Sequence, residues 1–441
     1  MSSAQSVSSA RFVTRPLTKR KRELLDSLLN RFAQSVNFCI QECVEHKITS
    51  RASLHYVAYE EWKSRFNLAS HWFHSAGQVA TQTLRSWRRL CHQGQADPNR
   101  PPMYDARTMR LELWSDQNST GICRFKGDAV QIRIRKSEYL WLPLMVTEYH
   151  ELIYLSDWRD GKTKVGELTI SAFRDKANVY VPFKRDVEPK PAKGVCGIDI
   201  NERSVDLCIM RPNQQPKHIK LDASKLVSIA HSMELKQKAI QEKLDVPPQR
   251  PIQKQRLKRK YSKRRYNRTN QILHAISKEV AEVLTREKVE PVFEDLTNIR
   301  QLMRSKRCAR SGRALQKNMR RRLNQWPFKK LQFYVEYKTL MQGYVAHYLP
   351  HEQVRGTSSM CPICGTLNKP NGHVFLCKMC GFSGDRHFVG AYNIAARWTK
   401  DVARNVPAEW RQMQPIVEAA VPPKKLSVET QRFPVQFSTG I

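Results

Sequence analysis

The sequence predicts an α+β protein, and three observations carry that prediction. Apolar residues recur at helical spacing from Leu17 to Cys91 and give way to short alternating runs between Pro101 and Pro182. Two later apolar strands each end in an acid, Asp199 and Glu294. A pair of C-x-x-C knuckles between Cys361 and Cys380 then precedes a last amphipathic stretch. With 441 residues the chain has room for roughly two to four domains.

Residues 1–16 read as a disordered N-terminus. From Leu17 to about Lys47, Leu25, Leu28, Leu29, Phe32 and Val36 fall on one helical face; further helices are predicted over 53–66 and 74–91. These three pack into a helical domain over 17–100, and Arg85, Arg88 and Arg89 leave it a basic end. Residues 101–190 read as a small β-barrel or sheet into which the helices are inserted. Its strands are expected at Val130–Lys136, Gly166–Ser171 and Asn178–Val181. The Pro/Lys stretch Val187–Lys193 marks a domain boundary.

A second fold opens with the apolar strand that carries Asp199. A meander through Ser204–Met210 and Pro216–Leu221 follows, then a basic helical stretch over 225–288. Within it, Lys254–Arg265 holds eight Lys/Arg in twelve residues: Lys254, Arg256, Lys258, Arg259, Lys260, Lys263, Arg264 and Arg265. Tyr261 sits among them as a stacking candidate. Another short strand ends at Glu294–Asp295. A second basic block runs from Arg304 to Arg322 and includes Arg320, Arg321 and Arg322. An amphipathic helix is expected from Leu323 to Tyr348, and partial disorder over 401–441.

Lys+Arg number 76 against 40 Asp+Glu, a net charge of +36, with a pI of about 10.0. Ordinary metabolic enzymes need no such excess; a field of this sign seeks a polyanion, nucleic acid before an anionic membrane. No apolar run approaches the ~18 residues of a membrane span, and Met1 to Ala10 is too polar for a signal peptide. The 11 cysteines are irregularly spaced, which suggests a reducing compartment and no disulfide framework. Cys361, Cys364, Cys377 and Cys380 match a tetrahedral four-thiolate zinc site, with Gly365 and Gly381 closing each knuckle. Four thiolates leave no open position, so this zinc organises structure.

Strand-end Asp199 and Glu294, together with an acid at the start of the helix after the knuckles, suggest carboxylates gathered around Mg²⁺ for phosphodiester chemistry. The motifs Gly197-Ile-Asp199, Phe293-Glu294-Asp295-Leu, Cys361-Pro-Ile-Cys364-Gly, Cys377-Lys-Met-Cys380-Gly and Asn393-Ile-Ala together resemble the TnpB (OrfB) family. These are transposon-encoded RNA-guided nucleases related to the miniature type V CRISPR effectors. The match is specific over about 190–400 and only architectural before it. The resemblance implies a wedge-type β-barrel over 101–190 with an inserted recognition domain over 17–100. It further implies a RuvC-like (RNase H-type) domain over 191–356 with a basic helical insert, a zinc ribbon over 357–384 and a last RuvC helix over 385–400. The implied partners are a guide RNA and a target double-stranded DNA, in a prokaryotic cytoplasm close to the nucleoid. The two basic blocks would line a nucleic-acid channel and contact backbone.

The match breaks at one motif. The family's third motif reads Asp-Arg-Asp-x-Asn-Ala-Ala-x-Asn-Ile, and its second Asp supplies a metal ligand. The same positions here run Asp385-Arg-His387-Phe-Val389-Gly-Ala-Tyr-Asn393-Ile. Imidazole is a poor substitute for a carboxylate on Mg²⁺. The expectation is therefore an effector that binds its target with little or no cleavage. The alternatives are an active Mg²⁺-dependent endonuclease using Asp199, Glu294 and Asp385 or His387, and a basic RNA-binding or transposon accessory protein without DNA targeting.

Overall fold

The computed structural model describes residues 4–115, 120–245, 251–296, 326–370 and 372–399. The expected basic block Arg304–Arg322, with Arg320, Arg321 and Arg322, and the tail from 401 lie outside them. Contacts divide the chain into two compact units, Ser3–Asp186 and the remainder from Val187. The division falls at the start of the Pro/Lys stretch.

In the first unit, strand β1 (Ala4–Thr14) precedes helices α1 (Lys19–Glu45), α2 (Arg51–Phe66) and α3 (His71–His92). Seven strands follow: β2 (Met109–Leu111), β3 (Cys123–Phe125), β4 (Ala129–Arg135), β5 (Glu138–Met145), β6 (Lys164–Val165), β7 (Leu168–Phe173) and β8 (Lys176–Val187). They form one sheet with β1 in the order β2-β7-β8-β1-β5-β4-β3, with β6 on β8. A backbone bridge between Leu113, just past β2, and Cys123 of β3 joins chain from the two ends of that order. The three helices thus lie between β1 and β2 in the chain. Thr18 and Ser50 cap α1 and α2 by accepting from the backbone N–H groups of Lys21 and Ser53. Phe12, Leu28, Phe32, Trp62 and Trp72 belong to a single core, in which burying each Leu or Phe contributes about 1.5–3 kcal/mol.

The expected disorder of residues 1–16 is corrected over Ala4–Thr14. Ser6, Ala10, Phe12 and Thr14 are buried at even spacing, and Thr14 Oγ1 accepts from the Ala177 amide at 2.9 Å. Because most of those inward residues are small or hydroxylated, the alternation is nearly silent in hydropathy.

The second unit is built on a five-stranded sheet in the order β11-β10-β9-β12-β13. Strands β9 (Val195–Ile200), β10 (Ser204–Met210) and β11 (Lys217–Asp222) form an antiparallel meander. On the other side of β9, β12 (Glu290–Glu294) runs parallel to it, and β13 (His347–Leu349) parallel to β12. Every residue of β10 is buried, because helices cover both faces. Leu207, Ile209, Ile198 and Phe293 pack on one face against α4 (Ser224–Asp245), α5 (Pro251–Glu287) and α6 (Phe328–Met341). Val195, Cys208, Met210 and Val292 pack on the opposite face against Ala391, Ile394 and Ala395 of α7 (Arg386–Arg397). The helix expected to run to Tyr348 stops earlier. Gly343 at φ 95° turns the chain, and Tyr348 enters β13. A two-stranded ladder, β14 (Val374–Leu376) with β15 (Ser383–Asp385), carries the knuckles into α7. Among the described residues no helix is long and apolar enough to cross a membrane.

Candidate active site and metal centre

The strand register places four chemistry-bearing residues in one row. Asp206 of β10 pairs directly with Asp199 of β9 on one side and with Lys220 of β11 on the other. Phe293 pairs with Ile198 in parallel, and the same register carries Glu294 alongside Asp199. Directly opposed residues project to the same face. Here it is the face under α7, because Val195, Cys208 and Val292, at even spacing from the acids, pack there.

α7 approaches this row closely. A Cβ on Gly197 would lie 2.0 Å from the Ala391 carbonyl oxygen, and one on Gly390 would lie 2.9 Å from Asp199 Oδ2. Glycine at both positions is what lets helix and strand meet. The approach brings the buried His387 ring to Asp199, with Nδ1 3.4 Å from Oδ2 but not aligned for a hydrogen bond. The other ring nitrogen, Nε2, faces His373 Nδ1 at 3.2 Å, so one of the two must carry a proton.

Asp385 is engaged in other ways. Its Oδ1 caps α7 by accepting from the His387 amide at 2.8 Å, and its Oδ2 accepts from Lys220 Nζ at 2.7 Å. Burial works against its ionisation, yet the Lys220 bond and the cap hold its carboxyl below the usual range. Burial likewise opposes the charge on Lys220, but Asp385 and Asp206 keep its ammonium above its ordinary value. Glu294 accepts from Thr357 Oγ1 at 2.5 Å. Burial pushes its carboxyl up to about 7; the Thr357 bond works against that rise and the negative charge of Asp199 adds to it. Asn393 pins this corner by donating to the carbonyls of Thr357 at 2.7 Å and Met360 at 2.8 Å.

Sequence reasoning missed Asp206, which is fully buried. Its carboxylate accepts from Ser204 Oγ at 2.6 Å and Asn201 Nδ2 at 3.4 Å, and lies 3.0 Å from His218 Nε2 and 3.9 Å from Lys220 Nζ. Asn201 Nδ2 also donates to Asp199 Oδ2 at 2.9 Å, bridging the two acids. A signal was available: an aspartate inside the otherwise apolar Val205–Met210 run demands a partner.

The knuckles converge as their spacing predicts. The four Sγ atoms of Cys361, Cys364, Cys377 and Cys380 lie within 4.8 Å of one another, as thiolates around one Zn²⁺ at about 2.3 Å would. Gly365 and Gly381 take φ 73° and 74°. The Thr366 hydroxyl is the main influence lowering the Cys364 thiol to about 6, while burial raises Cys361 to about 12. Among the described residues this is the one group of three or more His, Cys, Asp or Glu ligand atoms so gathered. Asp199, Glu294, Asp385 and His387 do not form such a set.

The basic helix divides in two. From Leu273 onward α5 contributes Leu273, Ile276, Val280 and Leu284 to the core, whereas none of residues 252–272 is buried. Arg256, Lys258, Arg259, Lys260, Lys263 and Arg264 are exposed there; Lys254, Tyr261 and Arg265 are half-buried.

TnpB-like protein MJ0751 of Methanocaldococcus jannaschii is 34% identical to this chain over 273 residues, 62% of this chain and 91% of the relative. The chain belongs to the TnpB-like family. A second relative from that organism, TnpB-like protein MJ1635, is 24% identical over 77% of this chain and 70% of its own length. The Cas12f1-like TNB domain matches residues 328–394, and the uncharacterized protein MJ0013 family matches 28–114. The cryo-EM structure of a Cas12f1–sgRNA–target DNA complex shares the fold of this TnpB-like chain. Its TM-score is 0.59 at 13% identity, covering 86% of this chain and 83% of that one.

Proposed function

We propose that this TnpB-like chain is an RNA-guided DNA-binding effector that occupies its target and cuts it little or not at all. One observation carries the reading: the motif position expected to present a carboxylate holds His387 against Asp199, while Asp385 is bound to Lys220. A pair of Mg²⁺ ions needs several free carboxylate oxygens in near-octahedral array. The described residues do not fit that requirement, so no metal-dependent step is assigned to them.

The rest of the reading follows from architecture. A meander joined to parallel strands, with an acid-bearing central strand, supports reading the second unit as a RuvC-like, RNase H-type domain. The eight-stranded sheet with the helices between β1 and β2, and the bridge between Leu113 and Cys123 that links chain from its two ends, support reading this unit as wedge and recognition domains. The zinc ribbon organises the approach to α7. Guide RNA and a complementary DNA strand are the partners by analogy with the solved Cas12f1 complex. The exposed cations of α5 would contact their backbones.

The deciding experiment uses protein purified with its native RNA and one matched duplex, with Mg²⁺ and with EDTA. Guide-dependent binding without product supports occupancy. Guide- and metal-dependent cutting, abolished by Asp199→Ala, overturns it in favour of an active endonuclease. RNA that confers no sequence-specific DNA binding overturns both.

A further inference from the structure

We propose that Lys220 is a resident counter-ion of the carboxylate row, its ammonium taking the place of a divalent cation and closing the row to metal. The inference rests on reading this sheet as RuvC-like, and concerns how the row holds its charge, not whether DNA is bound.

Asp206, Asp199 and Glu294 share one face of adjacent strands, and the first two are directly opposed. Like charges so placed repel, and a buried carboxylate is costly unless paired and hydrogen-bonded. Bound metal is one way to offset that repulsion. Here donors from the chain itself do so. Lys220 Nζ reaches Asp385 Oδ2 at 2.7 Å and lies 3.9 Å from Asp206 Oδ1, connecting the edge strand β11 to the start of α7. His218 meets the same Asp206 oxygen at 3.0 Å, and Asn201 spans Asp206 and Asp199.

An entering divalent ion would have to displace the ammonium from Asp385 and then sit close to it. Two cations brought to the same carboxylate repel. Lys220 lies directly across from Asp206 in the sheet, so its charge is delivered by register and not by a long reach across the surface. The bland account is that Lys220 merely ties β11 to α7. Metal separates the two accounts.

The test uses the full chain, with the ribbon's zinc in place, free of nucleic acid and in buffer without other metals. Mn²⁺ is the probe, read by thermal melting and by the number of ions bound in an electron paramagnetic resonance titration. Wild type should show no stoichiometric Mn²⁺ and no shift in melting temperature. Lys220→Met should melt about 2–4 °C lower, take up one Mn²⁺ per chain and regain the lost melting temperature with it. Adding Asp206→Asn should abolish that uptake. Lys220→Gln, which keeps a donor for Asp385 without the charge, should bind Mn²⁺ as well and serves if the Met variant fails to fold. Lower stability without Mn²⁺ uptake in either variant overturns the proposal and leaves a plain salt bridge. Mn²⁺ bound by wild type and lost with Asp206→Asn overturns it too. These readouts involve no guide or target, so a failure of the occupancy reading is recognised separately, in the duplex assay.

Discussion

Asp206 and Asp199 face each other directly across the antiparallel β10–β9 pair, and the amide of Asn201 spans them. Asp206 is fully buried, and Ser204, His218 and Lys220 surround it in addition. Replacing it with alanine removes one charge from the row but strands its polar partners. Leaving buried donors unpaired generally costs more than the lost repulsion returns. Asp206→Ala should therefore destabilise the protein by about 3–5 kcal/mol, read as a lower urea midpoint at unchanged slope. Asp206→Asn, which keeps the shape, should cost less.

Glu294 responds in the opposite sense. Its folded-state pKa of about 7 exceeds the ordinary carboxylate value, chiefly through burial. The folded protein thus holds a proton that the unfolded chain releases, and stability falls as pH rises from the unfolded value through about 7. Glu294→Gln should remove that dependence. In buffer without divalent metal the variant should match wild type near pH ~4, then become more stable, by about 2–3 kcal/mol at pH ~8. Melting curves across that range check it. A variant less stable than wild type at the alkaline end would mean that the Thr357 bond outweighs the burial cost.

How much of this was legible in the sequence depends on the range of the interaction. The cysteine knuckles are local: paired cysteines and their turn glycines fix their own geometry within one short stretch. The strand-end positions of Asp199 and Glu294 were legible for the same reason. Asp206 and Lys220 were not, because what matters is a register between strands that only the folded sheet sets. Strand β1 escaped for a different reason, since Ser6 and Ala10 are buried without being strongly apolar. In α5, composition announced the charge, but only the structure shows that the core begins at Leu273 and the cations lie before it.

Asn393 offers a test of how the four-cysteine cluster is held. Its amide donates to two carbonyls in the segment that enters the first knuckle, and that segment also carries Thr357 to Glu294. Asn393→Ala removes the donor from both carbonyls, at a cost of about 1–3 kcal/mol. Its zinc content, measured by a colorimetric chelator assay, should stay at that of wild type. Cys377→Ser should instead lower the zinc content, because the site depends on all four thiolates.

The exposed half of α5 predicts a salt signature. Arg256, Lys260 and Arg264 are exposed and no residue of 252–272 is buried, so the three can be exchanged for glutamine with little effect on melting temperature. If these cations neutralise phosphates, each releases about one condensed counterion on binding. The triple variant should then bind its RNA more weakly at every sequence tested. The slope of log affinity against log salt should become shallower by about 2–3. Filter binding across a salt series measures both quantities. An unchanged slope would mean that the cations are only a solvated face, and that the nucleic acid is held elsewhere on the chain.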